Sequence, residues 1–309
     1  MTVIWGTNYS IVKSAFAEVD PQAFNALRML LASAVFLAIM AFIRRLAARR
    51  PGSLNEEEDD SVASIFLTPA PITRRDWIAL AGLGVVGHCL YQYLFIGGLA
   101  RTSVANSSLI LAATPVVIAI ATAALGQDRI GLPHWAGAAL SMAGIYIVIG
   151  RGFRLDRTAL VGDLMMFGAV CCWAVYTIGS REVMRRHSPV GVTGLSMSIG
   201  TALYMPLQLP RIRAEAWPAV SATTWLALIY SALFALCVAY TIWYAAVRRI
   251  GSARTSVYSN VVPLVAMMTA VAFLDEPLGP SKIVGAAAVL VGVALTRVGQ
   301  NRVVIPCEE

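Results

Sequence analysis

Long apolar runs alternate with short polar links along the whole chain. The runs fall at about 1–17, 24–43, 77–99, 103–125, 133–150, 162–180, 189–209, 224–247, 255–274 and 281–298. A helix needs about 20 apolar residues to cross the roughly 30 Å of bilayer hydrocarbon. The pattern therefore predicts an all-α polytopic membrane protein with ten transmembrane helices. A transmembrane barrel would show alternating segments of about 10 residues instead. One link is long: 44–75 runs from Arg44-Arg45 through PGSLNEEEDDSVAS to Arg74-Arg75. Its acidic stretch, Glu56 to Asp60, reads as a solvated loop, with a partner site as the alternative.

The pattern repeats. Trp5, Lys13 and Pro21 return as Trp173, Arg181 and Pro189, each shifted by 168 residues. Trp77, Pro115, Gly131, Gly137 and Gly144 return as Trp225, Pro263, Gly279, Gly285 and Gly292, each shifted by 148. The 20-residue difference matches an insertion in the 44–75 loop. The chain divides into two five-helix repeats, 1–150 and 160–300, with a tail at 301–309. Five is odd, so the second repeat enters the membrane from the opposite side. Such inverted pairs recur in secondary transporters, with the substrate site near the midplane between repeats. The first helix is short: eleven residues separate Gly162 from Trp173, but four precede Trp5. The comparison predicts about seven further residues and a start codon upstream of Met1. Local thinning of the bilayer around a short helix is the alternative.

Charge orients the chain. With the N-terminus inside, the cytoplasmic links and tail carry 15 Lys and Arg, and the opposite links carry 7. The positive-inside bias places both termini in the cytoplasm. The chain has 309 residues, 58% hydrophobic and 13% charged, where a soluble domain is nearer 25% charged. Its net charge of +7 is loop charge and points to no nucleic-acid partner. Four of the five cysteines lie in apolar runs and no CxxC occurs, so neither a disulfide framework nor a metal site is expected. The start of the sequence shows no basic n-region of a signal peptide.

The residues also resemble a known family. Trp5-Gly6-Thr7-Asn8-Tyr9, Lys13 and Phe24-Asn25-Ala26-Leu27-Arg28 look like the start of an EamA-type repeat. Thr102 to Ile110 followed by Thr114-Pro115 is similar to its fourth helix, and Gly137 and Gly144 fit its fifth. Gly162-Asp163, Trp173, Ser188-Pro189, Pro263, Glu276 and Gly285 to Gly292 match the same frame in the second half. The resemblance is to the drug/metabolite transporter superfamily and covers nearly the whole chain. The family often has Gly-Glu after the fourth helix; here stand Gly126-Gln127-Asp128 and, in the second half, Leu274-Asp275-Glu276. The resemblance implies a ten-helix exporter-like carrier of small metabolites, often amino acids. It implies no cofactor and a multi-pass location in the bacterial inner (plasma) membrane.

Few residues in the spans carry chemistry. Charges inside a bilayer are costly and face a cavity or a partner. Lys13 and Arg28 lie near span ends. They either snorkel to the headgroups or pair with Glu18 or Asp20, or they attract an anionic group. His88 sits near mid-span in the polar island GHCLYQY. It is either a neutral histidine bonded between helices or a substrate or proton ligand. Asn106 at the start of span four and Asn260 in span nine stand in matching regions. Pro115 and Pro263 each break a helical ladder there, freeing carbonyls that must face protein or water; a packing kink is the alternative. Asn8, Tyr91, Trp173, Tyr176 and Tyr240 complete the candidate substrate-binding set. Aromatics near span ends are more often interfacial belts. The glycines of spans five and ten are expected to allow close packing.

The function expected is a secondary carrier, exporting amino acids or related carboxylate-bearing metabolites by alternating access. In-membrane cations without mid-span carboxylates favour such a cargo over a lipophilic cation, whose exporter would gain from a buried acid. A multidrug cation exporter is the alternative reading. An intramembrane enzyme lacks metal-spaced clusters, a G-x-S-x-G elbow and paired carboxylates, and a channel lacks a filter loop. No phosphate-binding loop is present. The expected partners are a small-molecule substrate and lipid, with a homodimer left open.

Overall fold

The computed structural model describes residues 1–49, 62–67, 70–124, 157–250, 261–277 and 279–300, with 135–137, 139–140, 143–144, 147, 255 and 259. Among them it is all-helical, without strands. Helices α1 (Thr2–Ala15) and α2 (Pro21–Arg49) are followed by a short α3 (Val62–Phe66). Next come α4 (Arg74–Gly84), α5 (Tyr91–Arg101), α6 (Val104–Leu111) and α7 (Thr114–Ala124). The second half holds α8 (Arg157–Val183), α9 (Pro189–Ala214), α10 (Ala222–Tyr230), α11 (Ala239–Ile250), α12 (Val261–Leu274) and α13 (Pro280–Gln300).

Five stretches are long and apolar enough to cross a membrane: Pro21–Leu46, Arg74–Arg101, Arg157–Val183, Pro189–Ala214 and Ala222–Arg249. Shorter apolar helices cover Val104–Ile118, Val261–Leu274 and Pro280–Gly292. This is a multi-pass integral membrane protein. Large apolar side chains such as Phe42, Leu207 and Phe273 point outward, as lipid contact requires. The helix expected at 133–150 lies mostly outside the described residues, as do the acidic run Glu56 to Asp60 and the tail. The long loop begins later than the apolar run suggests, because α2 continues past Arg44 and Arg45.

Sequence sets the helix starts. Ser103, Ser188 and Ser221 each accept a backbone N–H three residues on, and Thr73 forms a capping box with Asp76. Asp20 accepts the N–H groups of Gln22 and Ala23 at 2.9 and 3.0 Å and so opens α2. Each of these partners satisfies a helix-end donor that otherwise has none.

Two helices change pitch inside the bilayer. α4 runs into α5 through a π-helical segment, Val85–Leu90, and α10 runs into α11 through another, Ser231–Val238. Their last residues, Leu90 and Val238, are 148 apart, the interval of the sequence repeat. Such segments are rare and often mark functional sites. The fourth apolar run breaks as well. Helix α6 ends at Leu111, Ala113 N–H turns back to Ile110, and Thr114 Oγ1 donates to Leu111 at 2.6 Å. Pro115 is then the second residue of α7, where a missing N–H costs nothing. Pro263 is the third residue of α12. Both prolines therefore start helices; neither sits in the middle of one.

α2 packs against α9 at the centre of the bundle, where Ser33 and Thr201 hydroxyls meet at 2.9 Å. Around them α1 packs on α12, α8 on α5, α6 and α7, α9 on α4, and α2 on the second π segment. A Cβ on Gly144 would stand 2.8 Å from the Gly285 carbonyl, so the glycines of the fifth and tenth runs do meet closely. At one end of the bundle, called here the far end, lie the links after α1, α5, α9 and α12. There Asp20 pairs with Arg211 at 3.0 Å and Glu18 accepts from Ser221 N–H and Oγ, both at 2.9 Å. Those donors hold the Glu18 carboxyl below its ordinary value.

Candidate functional site

A cavity lies where α1, α2, α5, α8 and α11 converge on the helix starts of α7 and α12. Its space, open mouth included, is about 670 Å³, an upper limit on the scale of a small metabolite. The wall is mostly aromatic. Trp5 packs edge-on against Trp173 and Tyr240, with ring centroids 5.9 and 6.0 Å apart. Trp173 also meets Tyr91 at 5.1 Å and Tyr240 at 5.3 Å. Trp5 is pinned by its indole N–H, which donates to the Ala235 carbonyl of the second π segment at 3.0 Å.

Arg28 is the charged residue among the described lining residues. Burial leaves it 1% exposed. Its Nη1 donates to Ser231 Oγ at 2.9 Å, and its Nη2 to Asn25 Oδ1 and Gln92 Oε1, each at 2.7 Å. Among the described residues Nε has no partner, and no carboxylate pairs with the guanidinium. An arginine in a membrane helix is costly, with about 2.5–3.5 kcal/mol at the helix centre as the upper end of the insertion scale. Three neutral acceptors offset part of that cost but leave the charge uncancelled. Arg28 therefore neither snorkels nor pairs with Glu18 or Asp20, which are engaged at the far end. Asn8, 5% exposed, adds to the same wall an Oδ1 with no partner among the described residues.

His88 is fully buried in the first π segment but does not line the cavity. Its Nε2 lies 2.9 Å from Tyr176 Oη and 3.2 Å from Ser196 Oγ, and those two oxygens are 3.0 Å apart. Gly87 makes this possible, since a Cβ there would stand 2.3 Å from the Tyr176 ring. The imidazole also lies 6.0 Å from the Tyr240 ring. His88 and Tyr176 thus back the aromatic wall from behind.

Lys13 belongs to the far end. Its Nζ is 3.7 Å from Glu276 Oε1 and donates to the Thr102 carbonyl. Glu276 also accepts from the N–H groups of Val104 and Ala105, at 2.8 and 3.4 Å, where α6 begins. Thr102 Oγ1 donates to Asp163 at 2.6 Å. Four links or helix ends, from α1, α5–α6, α8 and α12, are tied by this cluster. Asn106 stands beside it, its N–H on Ser103 Oγ at 3.0 Å.

Of the residues singled out from sequence, Asn8, Arg28, Tyr91, Trp173, Tyr240 and Pro263 line the cavity. Lys13, His88, Asn106 and Tyr176 do not, and Pro115 is replaced in the wall by its neighbour Thr114. Asn260 lies outside the described residues. Sequence reasoning passed over Ser231, because a lone serine in an apolar run carries no signal; its importance comes from the π segment that turns it toward Arg28.

The EamA-like transporter family model matches residues 1–150 and 160–298. The chain belongs to the EamA-like transporter family. Among its relatives, the uncharacterized transporter YyaM of Bacillus subtilis (strain 168) is 25% identical over 305 residues, 98% of this chain and 92% of its own. A probable amino-acid metabolite efflux pump of Salmonella typhimurium is 24% identical, covering 97% of this chain and 93% of its own. A probable terminal-alkyne amino-acid exporter of Streptantibioticus cattleyicolor is 27% identical over 76% of this chain and 80% of its own. A solved crystal structure shares the fold, with a TM-score of 0.66 at 20% identity over 97% of this chain and 95% of the other. These relatives are transporters and exporters by name, which points this EamA-family chain away from enzymes.

Proposed function

We propose that the chain is a secondary carrier that exports amino acids or related carboxylate-bearing metabolites by alternating access. The observation that carries this reading is Arg28: a buried guanidinium, without an acid partner among the described residues, in the wall of an aromatic cavity. A carboxylate is the group that such a charge binds best. The names of two relatives, an amino-acid metabolite efflux pump and an amino-acid exporter, support the same class.

The architecture in this reading is ten spans in two inverted five-helix repeats, with both termini cytoplasmic. The packing supports it through exchange. The contact of α1 with α12 corresponds to that of α8 with α6 and α7. The contact of α2 with the second π segment corresponds to that of α9 with the first. In this orientation the Lys13–Glu276 cluster closes the outer end, and its release accompanies opening to that side. The alternative, a lipophilic-cation exporter, lacks an acid in the described wall.

Counterflow in proteoliposomes tests the reading. Vesicles preloaded with unlabelled amino acids should accumulate the labelled amino acid saturably, and Arg28→Gln should abolish this. Counterflow of lipophilic cations alone would overturn it.

A further inference from the structure

Resting on the carboxylate reading above, we infer that the site recognises a monocarboxylate with an apolar body and gains nothing from an α-ammonium group. Deaminated organic acids would then be ligands as good as the amino acids.

The argument is one of charge. The described wall holds one full charge, Arg28, and no Asp, Glu or His. A monocarboxylate entering it brings the local sum to zero. A zwitterion can cancel the guanidinium with its carboxylate but then brings an ammonium for which the described wall holds no anion, and an amine adds a second positive charge. Burying a charge without an opposite partner is costly.

The neutral groups do not change that order. Asn8 Oδ1 has no partner among the described residues and can accept an N–H. Such a bond replaces one that the ammonium already made with water and leaves its charge in place. The π faces of Trp5, Trp173 and Tyr240 attract a cation weakly. Here, however, those rings spend edges and faces on one another, with centroids 5.3–6.0 Å apart. Set nearly perpendicular to one another, they offer an angular apolar wall. The rest of the ligand is therefore selected for apolar surface, and its carboxylate for Arg28.

The cavity supplies its own reporter, because Trp5, Trp173 and Trp243 line it. Purified full-length protein in detergent is titrated with L-phenylalanine, 3-phenylpropionate and 2-phenylethylamine, following tryptophan fluorescence. The series is repeated with L-leucine, 4-methylpentanoate and 3-methylbutylamine. Equilibrium binding is read because protonated organic acids cross bilayers and would blur a flux assay. Each organic acid should bind at least as tightly as its amino acid, and each amine more than about tenfold more weakly, a gap of roughly 1.4 kcal/mol. Arg28→Gln should weaken both acids by about tenfold or more, while Arg28→Lys recovers part of the loss. Binding of the amino acids with the organic acids more than about tenfold weaker overturns this inference and leaves the amino-acid carrier standing. Binding of the amines alone, or of none of the compounds, overturns the carboxylate reading with it.

Discussion

Lys13 Nζ lies 3.7 Å from Glu276 Oε1, yet the two residues do unequal work. The glutamate also caps the first two N–H groups of α6, where the helix dipole favours a negative charge. Glu276→Ala should cost about 1–2 kcal/mol, and Lys13→Met about 0–1 kcal/mol. Exchanging the two charges should not restore stability, because a lysine at 276 points a cation at a helix N-terminus. Melting in detergent checks this order. A charge-exchanged double variant with wild-type Tm would show that the ion pair alone matters.

Arg28 donates to three acceptors from two nitrogens in a fixed plane, which an ammonium cannot reproduce. In counterflow at limiting substrate, Arg28→Lys should run at about a third to a tenth of the wild-type rate, and Arg28→Gln at the background of empty vesicles. Equal loss in both variants would mean that geometry, rather than charge, sets recognition.

Gly87 and Gly82 give a matched pair. A Cβ at 87 meets the Tyr176 ring, whereas one at 82 meets nothing within 4 Å among the described residues. Gly87→Ala should lose about 1–3 kcal/mol through overpacking, and Gly82→Ala should be neutral or gain up to about 1 kcal/mol through helix propensity. Because Gly87 holds Tyr176 against His88, Gly87→Ala should also slow transport. His88→Gln should leave the pH profile of transport unchanged, since the His88 partners are hydroxyls. A shifted profile would assign His88 a proton-carrying role instead.

Glu18 ties the α1–α2 link to the start of α10. Its carboxyl is held below the ordinary value by bonds to the charged form, so it titrates lower folded than unfolded. The stability it adds is present at neutral pH and is lost as pH falls below the ordinary glutamate range and through its folded value. The difference in Tm between wild type and Glu18→Gln should therefore be visible at pH 7 and close below about pH 4. A difference that grows on acidification would reverse the sign and refute the assignment.

Apart from the short α3, apolar run length marked the described helices to within about six residues, because membrane crossing imposes a length that composition records directly. In-membrane charge picked out Arg28, and mid-span position picked out Tyr91, Trp173 and Tyr240. Partners were harder to read. Lys13 pairs with Glu276, far along the chain, where proximity in sequence suggested Glu18 or Asp20. His88 stood open between a histidine bonded between helices and a ligand, because period alone cannot say which face of a helix meets a cavity. The π segments were invisible, since a shift in hydrogen-bond partner by one residue leaves the apolar pattern intact. They nevertheless set the site, delivering Ser231 to Arg28, Ala235 to Trp5 and His88 to Tyr176.

Ser33 and Thr201 hydrogen-bond to each other, and Trp5 packs on Trp173; both pairs are 168 residues apart. A position that touches its own counterpart must complement itself. A hydroxyl can, because it both donates and accepts. An indole can, because its positive edge suits another ring's negative face. A carboxylate or an ammonium cannot. Wherever two such counterparts meet, the palette of side chains shrinks to those able to be their own partner. Arg28, whose counterpart 168 residues on is the uncharged Ser196, carries its charge at a place where the two halves have ceased to be alike.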